Sequence, residues 1–419
     1  MQSLPGFSEF YPDDCAQRNY ILETWRTVAR RYGFVEYDGP TVEPLALYEK
    51  KSGGELVGQL FAVTALADGA AAKGALRPEM TPTLARMVMA KARDYKKPMK
   101  WFSVPNCFRH ERQQRGRLRE FYQLNMDILG ETAAAADAEL IAACVDTLRA
   151  FGFTEEDVVV RLSSRSAWQQ FFANLGGKPE DEYAFFQVVD KSERSPEEKT
   201  TEALAQFNLP GLTTESVLTF MRSKEPVADL KGVLQDLEAR GLGKYVAVDY
   251  AIIRGLAYYT GVVFEVFDRS KKERALAGGG RYDGLIKLLS DGKVDLPALG
   301  FGMGNVVLGN LIEENAIAKE KRTAWCKTQH SCDVFVVLTQ EAQRPQALKI
   351  VQQLREAGYR TEFALTETKV NKQFQSAESL GAKSAVVIGE EWPQVKLKVL
   401  ASREEQLIAS DAILSELAK

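Results

Sequence analysis

Between residues 99 and 130 the chain reads MKWFSVPNCFRHERQQRGRLREFYQLNMDILG, two strand-like runs joined by a basic turn. This stretch constrains the fold more than any other. Side chains along a strand alternate between its faces. Leu124, Met126 and Ile128 therefore line one face, and Arg119, Phe121, Gln123, Asn125 and Asp127 line the other. Before the turn, Arg109 and Glu111 share a face and Phe108 packs opposite. The apolar face needs a core to pack on. The other face carries amides, an aromatic ring and a carboxylate, whereas a wet surface carries mainly lysine and glutamate, so it reads as the floor of a site.

A second segment has the same character. IRGLAYYTGVVFE, residues 253–265, puts Arg254, Tyr258, Tyr259 and Glu265 into one short apolar stretch. A fixed cation, two phenols and a carboxylate describe a polar pocket that can join the first segment in one site. The turn at 112–118 adds Arg112, Arg115 and Arg117 around Gly116. Arginine forks bind phosphate bidentately. Arg115 is read as a solvated turn residue, and the other arginines as candidates for phosphate or RNA contact.

At 419 residues the chain is expected to form two or three domains. A helix is expected from Asp13 to about Tyr32, stopped by Gly33, followed by a strand ending at Pro40. The segment 76–86 should turn from strand to helix after Thr81, and an alanine-rich helix should cover 133–151. From about 177 to 241 the pattern is polar and helical and reads as an insertion. The core resumes near Tyr245 with strands and the glycine runs 278–280 and 300–309. The expected division is a core over 1–320, a linker over 321–331 and an α/β domain over 332–419. The net charge of −3 means that a nucleic-acid partner must be met by local basic patches. Five cysteines without metal spacing and only two histidines argue against a zinc site and for a reducing, cytoplasmic setting. No signal peptide and no membrane-spanning run is read in the chain.

Taken together, these segments closely resemble the histidyl-tRNA synthetases, a family of class II aminoacyl-tRNA synthetases. The strand ending at Pro40 resembles motif 1, which lies at the family's dimer interface. FRHE at 108–111 with RGRLREFYQ resembles motif 2, the adenylate hairpin. RGLAYYTGVVFE and AGGGRYDGL, from Arg254 and Ala277, resemble histidine-specific signatures. The fold implied is an α+β catalytic core, an antiparallel sheet flanked by helices, with a helical insertion and a C-terminal α/β anticodon-binding domain. The resemblance implies ATP-binding by Arg109, Glu111, Arg117 and Arg119, with Arg109 on the α-phosphate. It implies histidine-binding by Glu79, Thr81, Gln123, Asp127, Tyr258 and Tyr259, and makes Arg254 the catalytic cation beside Arg109. No protein-held metal is expected. The implied activity is histidine–tRNA ligation with ATP and Mg2+. The implied partners are L-histidine and tRNA(His), in a homodimer without membrane attachment.

This chain departs from the family pattern in places. Motif 3 reads GMGNVVL at 302–308, with Val307 where an ATP-contacting arginine is usual. Ala257 replaces a common aspartate, and Asp127 is shorter than the usual glutamate. Other groups are expected to hold the triphosphate. The loss at Val307 leaves a second reading, a non-catalytic paralogue of the kind that regulates ATP phosphoribosyltransferase and binds histidine. A P-loop or dinucleotide-binding reading of GFGMG at 300–304 or GAKS at 381–384 lacks the required spacing and context.

Overall fold

The computed structural model describes residues 3–51, 58–64, 73–112, 114–192, 195–253, 259–270, 272–329 and 332–418. In chain order its first strands are β1 (Val35–Glu36), β2 (Val42–Pro44), β3 (Ala62–Val63), β4 (Gly74–Leu76), β5 (Met99–Ser103), β6 (Asn106–Phe108) and β7 (Glu120–Leu129). They are followed by β8 (Val158–Ser164), β9 (Val246–Val248), β10 (Val262–Asp268), β11 (Ala277–Arg281) and β12 (Ala298–Gly304). The alternating run at 120–129 is thus a strand of the central sheet, whose order is β1-β5-β7-β12-β11-β10-β8-β9, with β6 paired to the outer part of β7. Its pairs are antiparallel except at the two edges, β1 with β5 and β8 with β9. This is the antiparallel class expected from the sequence.

Leu124, Met126 and Ile128 are buried beneath β7, on the side where the helix Ala134–Phe151 packs on β7, β11 and β12. Most of that helix is buried, and its small alanines let it approach the sheet closely. Gly152 stops it in the left-handed conformation, at φ 109°. Arg281 of β11 crosses to the same helix. Its guanidinium donates to Asp137 Oδ2 at 2.7 and 3.0 Å, and to the carbonyls of Glu131 and Ala133 at 3.0 Å each. Burial pushes the Asp137 carboxyl up to about 6, against the pull of Arg281.

The expected strand ending at Pro40 is corrected. β1 stops at Glu36, and after Gly39-Pro40 the chain starts β2, which joins a separate small sheet ordered β2-β4-β3. Proline has no N–H to donate, and here it marks a change of sheet rather than the end of one strand. The insertion region consists of the helices Glu182–Ser192, Glu197–Ala205, Thr214–Arg222 and Ala228–Ala239. Aromatic rings tie it to the helix Arg165–Asn174. Phe172 stacks on Phe185 at 4.4 Å, and Trp168 meets Phe220 edge-on at 4.6 Å.

The chain folds as two compact units, residues 1–322 and 323–419. Residues 321–329 of the expected linker fall in the helix Ala316–Gln329, and 330–331 lie outside the described residues. The second unit is a five-stranded sheet in which β13 (Val334–Leu338), β14 (Thr361–Phe363) and β15 (Ser384–Ile388) are parallel. β16 (Gln394–Val399) and β17 (Glu405–Ala409) continue it antiparallel. β17 was not expected from the sequence. Among the described residues no helix is long and apolar enough to cross a membrane.

The buried Arg281–Asp137 pair gives a pH-dependent prediction. Removing one partner of a buried pair costs roughly 3–5 kcal/mol. Asp137 has a raised pKa in the folded state. The stability tied to its protonation is therefore full below the ordinary carboxyl value near 4 and lost as the pH rises through about 6. Arg281→Leu should lower the thermal midpoint strongly at pH 8 and distinctly less at pH 5, where Asp137 can neutralise itself. An equal drop at both values in a pair of melts would show that Asp137 is not the charge Arg281 compensates.

Candidate active site

The face of β7 opposite the core helix carries Gln123, Asn125 and Asp127. Asn125 and Asp127 are only 6% and 4% exposed, so this is no solvated surface. Pairing places Asp127 opposite Gly300, Asn125 opposite Gly302 and Gln123 opposite Gly304 on β12. The glycines are there for clearance. A Cβ on Gly300 would sit 1.9 Å from Asp127 Oδ1, and one on Gly302 would sit 2.2 Å from Gln123 Nε2. Hydrogen replaces side chain so that the polar groups can lie across the neighbouring strand. One strand further, Gly278 faces Gly302 and Glu265 of β10, which places Glu265 on the same face.

Asp127 is oriented by Tyr282, a residue of RYDGL to which the sequence pattern alone gave no role. Tyr282 is 3% exposed and its hydroxyl donates to Asp127 Oδ1 at 2.5 Å. Tyr37 lies near enough that Asp127, after burial, helps raise its phenol well above the ordinary value. A carboxylate has about four acceptor sites, so a ligand N–H can share Asp127 with Tyr282. Gln123 Oε1 is buried without a hydrogen-bond partner among the described residues. Buried polar atoms are normally satisfied, so this one is suited to a ligand donor. Tyr259 is buried at 6% exposure, whereas Arg254 and Tyr258 lie outside the described residues.

The segment RPEMT is stitched to the hairpin by backbone acceptors. Phe108 N–H donates to the Arg77 carbonyl at 2.9 Å, Arg77 Nε to the Asn106 carbonyl at 2.9 Å, and Arg109 Nε to the Pro78 carbonyl at 2.9 Å. These bonds bring buried Glu79, and Thr81 at the start of the helix Thr81–Lys91, beside Arg109. Cys107 lies among these charges. Burial pushes its thiol up to about 12, Arg109 and Arg77 oppose the rise, and Glu79 and Asp38 add to it. The Arg109 guanidinium lies 5.3 Å from the Phe121 ring centre, on the site face.

Beyond Arg109 the hairpin carries the basic turn. Arg117 Nε pairs with Glu111 Oε2 at 2.5 Å. Arg119 donates to the carbonyls of Glu111 and Pro5, at 3.3 and 3.4 Å, so its side chain also fastens the N-terminal segment. Arg115, read as a solvated turn residue, is exposed as expected and also bridges Glu273 at 2.7 Å and Glu314 at 2.5 Å. Val307 is buried in the first turn of the helix Asn305–Glu314, whose Asn305 Oδ1 accepts the Tyr122 N–H at 2.8 Å. Asn305, at the start of this helix, thus ties it to β7. Among the described residues no cluster of three metal-ligating side chains is present.

Comparison with known proteins agrees with this geometry. Residues 6–305 match the family model described as histidyl-tRNA synthetase, and residues 333–419 match the anticodon binding domain. A histidine–tRNA ligase of Opitutus terrae is 42% identical, over 96% of this chain and 95% of its own length. The chloroplastic/mitochondrial histidine–tRNA ligase of Arabidopsis thaliana is 35% identical over 96% of this chain and 83% of its own. Among solved structures, the histidyl-tRNA synthetase of Nostoc sp. PCC 7120 superposes with a TM-score of 0.76 at 23% identity, covering 100% of this chain and 98% of that one. An ATP phosphoribosyltransferase regulatory subunit/histidyl-tRNA synthetase of Bacillus halodurans gives 0.71 at 20% identity, over 92% of this chain and 97% of that one. These superpositions speak to the fold alone.

The glycine clearance is open to test. Gly302→Ala directs its new methyl at the far end of the Gln123 side chain rather than at backbone. It should leave the thermal midpoint within a few degrees and weaken L-histidine binding roughly ten-fold in calorimetry, the scale of one lost hydrogen bond to a charged group. Unchanged affinity would remove Gln123 from the binding face.

Proposed function

The chain belongs to the histidyl-tRNA synthetase family, and on that premise we propose how its residues divide the reaction. It is a histidine–tRNA ligase, which joins L-histidine to ATP as histidyl-adenylate and passes the histidyl group to tRNA(His). In the first step a histidine carboxylate oxygen attacks the α-phosphorus in line, the bond to the bridging oxygen breaks, and pyrophosphate leaves with the electron pair. In the second, a terminal ribose hydroxyl of the tRNA attacks the histidyl carbonyl, and AMP leaves.

The observation that carries the assignment of the histidine pocket is Asp127, buried opposite Gly300 and oriented by Tyr282. In this reading Asp127 accepts the imidazole N–H, with Tyr259 and Tyr258 beside it. Glu79, Thr81 and Gln123 take the α-amino end. A site built around buried polar groups that need a ring nitrogen rejects analogues lacking it by about 10⁴–10⁵. In this reading Arg109 and Arg254 act on the α-phosphate, where negative charge builds in the transition state. Arginine suits that place because it cannot lose its proton. Glu111 sits at the adenine end of the pocket, and Arg117 and Arg119 at the polyphosphate.

Mg2+ carried by the nucleotide would supply charge neutralisation at the phosphate oxygens, beside Arg109, Arg117 and Arg119. The carboxylates beside the arginines, Glu111 and Glu273, are already committed to ion pairs, which fits a metal carried mainly by phosphate oxygens. The unit 323–419 takes the anticodon. Exposed Val35 and Val42, near the β1 edge, support a homodimer through this region. The free cysteines support a cytoplasmic setting. The regulatory-paralogue reading rests on Val307 alone, while a 42% identical relative over nearly the whole chain is a histidine–tRNA ligase.

Purified protein should exchange pyrophosphate into ATP with L-histidine and with no other amino acid. Arg254→Ala should cut that exchange by about 10²–10³, the usual effect of one lost transition-state donor. Exchange by this variant within a few-fold of the wild type would take Arg254 out of the chemistry. Histidine binding by the wild type without exchange at any ATP concentration would favour the regulatory paralogue. A chain ending at residue 322 should still exchange but fail to charge tRNA. Normal charging by that chain would remove the C-terminal unit from tRNA recognition.

A further inference from the structure

With Val307 in place of the family's arginine, the end of the pocket that takes the leaving pyrophosphate lacks one expected cation. The space beside Val307 is filled by the basic turn itself. Gly116, with φ +75°, lies so close that a Cβ there would be 3.1 Å from Val307 Cγ2 and 3.5 Å from Glu273 Oε2. The turn is held down by Glu273, whose side chain is 1% exposed. Glu273 accepts from Arg115 at 2.7 Å and from Asn310 Nδ2 at 3.3 Å, and its own N–H donates to Asp268 Oδ1 at 3.1 Å. The connection between β10 and β11 is therefore fixed to both the basic turn and the helix Asn305–Glu314.

The next residue is Arg274. It is exposed, donates to the Gln114 side-chain oxygen, and has no carboxylate within ion-pair distance among the described residues. Its charge is felt at Arg117. Burial lowers the Arg117 guanidinium from its ordinary value, Glu111 raises it, and Arg274 and Arg109 lower it further. Arg274 and Arg117 thus meet on one turn through Gln114, whose carbonyl accepts the Arg117 N–H at 2.9 Å, and Glu111 is the one carboxylate ion-paired with either among the described residues. Arg115 does not add to this surplus, because Glu273 and Glu314 neutralise it. Like charges held together in the free protein are relieved by a polyanion, and fixed guanidiniums bind phosphate oxygens with directional, charge-assisted bonds.

We infer that Arg274 binds the β- and γ-phosphates of ATP, supplying from the β10–β11 connection the cation that Val307 cannot. The inference rests on the ATP site proposed above. Arg274 meets the leaving group, while Arg109 faces the reacting phosphorus. A contact of this kind holds ground state and transition state about equally and acts mainly on affinity.

The test compares full-length wild type, Arg274→Ala and Arg274→Lys in ATP–pyrophosphate exchange at saturating L-histidine. Arg274→Ala should raise KM for ATP roughly ten-fold, the low end for a bond to a charged group. Its kcat should stay within a few-fold and KM for histidine should be unchanged. Arg274→Lys should recover part of the loss. A sulfamoyl analogue of histidyl-adenylate, which lacks the β- and γ-phosphates, should bind wild type and Arg274→Ala equally. A KM for ATP within two-fold of wild type in Arg274→Ala would overturn the inference. An equal loss of affinity for ATP and for the analogue would also overturn it, reducing Arg274 to a support of the turn. No exchange by the wild type would instead sink the ATP site and this inference together.

Discussion

The register between β7 and β12 is the constraint on which the site depends. It sets Asp127 against Gly300 and Asn125 against Gly302, and it sends Leu124, Met126 and Ile128 to the opposite face. A slip of one residue would exchange those faces. Asp127 would meet the core helix, and leucine would fill the pocket. The pair is fastened at both ends. Gly130 N–H donates to the Pro297 carbonyl at 2.7 Å at one end, and Asn305 Oδ1 accepts from Tyr122 at the other. From the core side, Arg281 pins the adjacent strand to Asp137. The apolar packing and the polar site are therefore two readings of one pairing.

The arginines around this frame differ by partner. Arg281 and Arg115 end on carboxylates, so their charge is cancelled and their work is structural. Arg109 and Arg119 are held by carbonyl oxygens, of Pro78 and of Glu111 and Pro5. A carbonyl fixes the orientation of a guanidinium without cancelling its charge. These two side chains are thus positioned beforehand yet keep their field for an anion, which is what a site for charge developing on phosphate requires.

The strand at 119–127 was legible because a period of two names both faces at once. Its burial was not, since a polar face looks the same whether solvent or a pocket lies above it. The antiparallel class and the C-terminal α/β unit followed from strand and helix patterns and from the resemblance. The change of sheet at Pro40 was hidden because an extended segment carries no mark of its partner. The bonds that finish the site join distant residues. Tyr282 and Asp127 are 155 positions apart, and Arg115 and Glu273 are 158 apart. No local pattern encodes such pairs. A tyrosine two residues after a glycine run was the available signal for the first, and a lone acidic residue beside Arg274 for the second.

The two kinds of contact also differ in how freely a sequence can change them. A cation acts on phosphate through a field that falls smoothly with distance, so the same charge can be delivered from a helix, a turn or a neighbouring loop. A hydrogen bond to a ring N–H needs an acceptor at about 2.9 Å and in line, and it fails when its strand moves. In the proposed pocket Asp127 offers that acceptor from β7, with Tyr282 setting its direction. Position 307 carries no such geometric demand. Once the turn at Gly116 closes over it, a valine packs better there than a charged side chain, because a buried cation without its anion is costly. The valine at 307 and the oriented acid at 127 then reflect the same difference between a field and a directed bond.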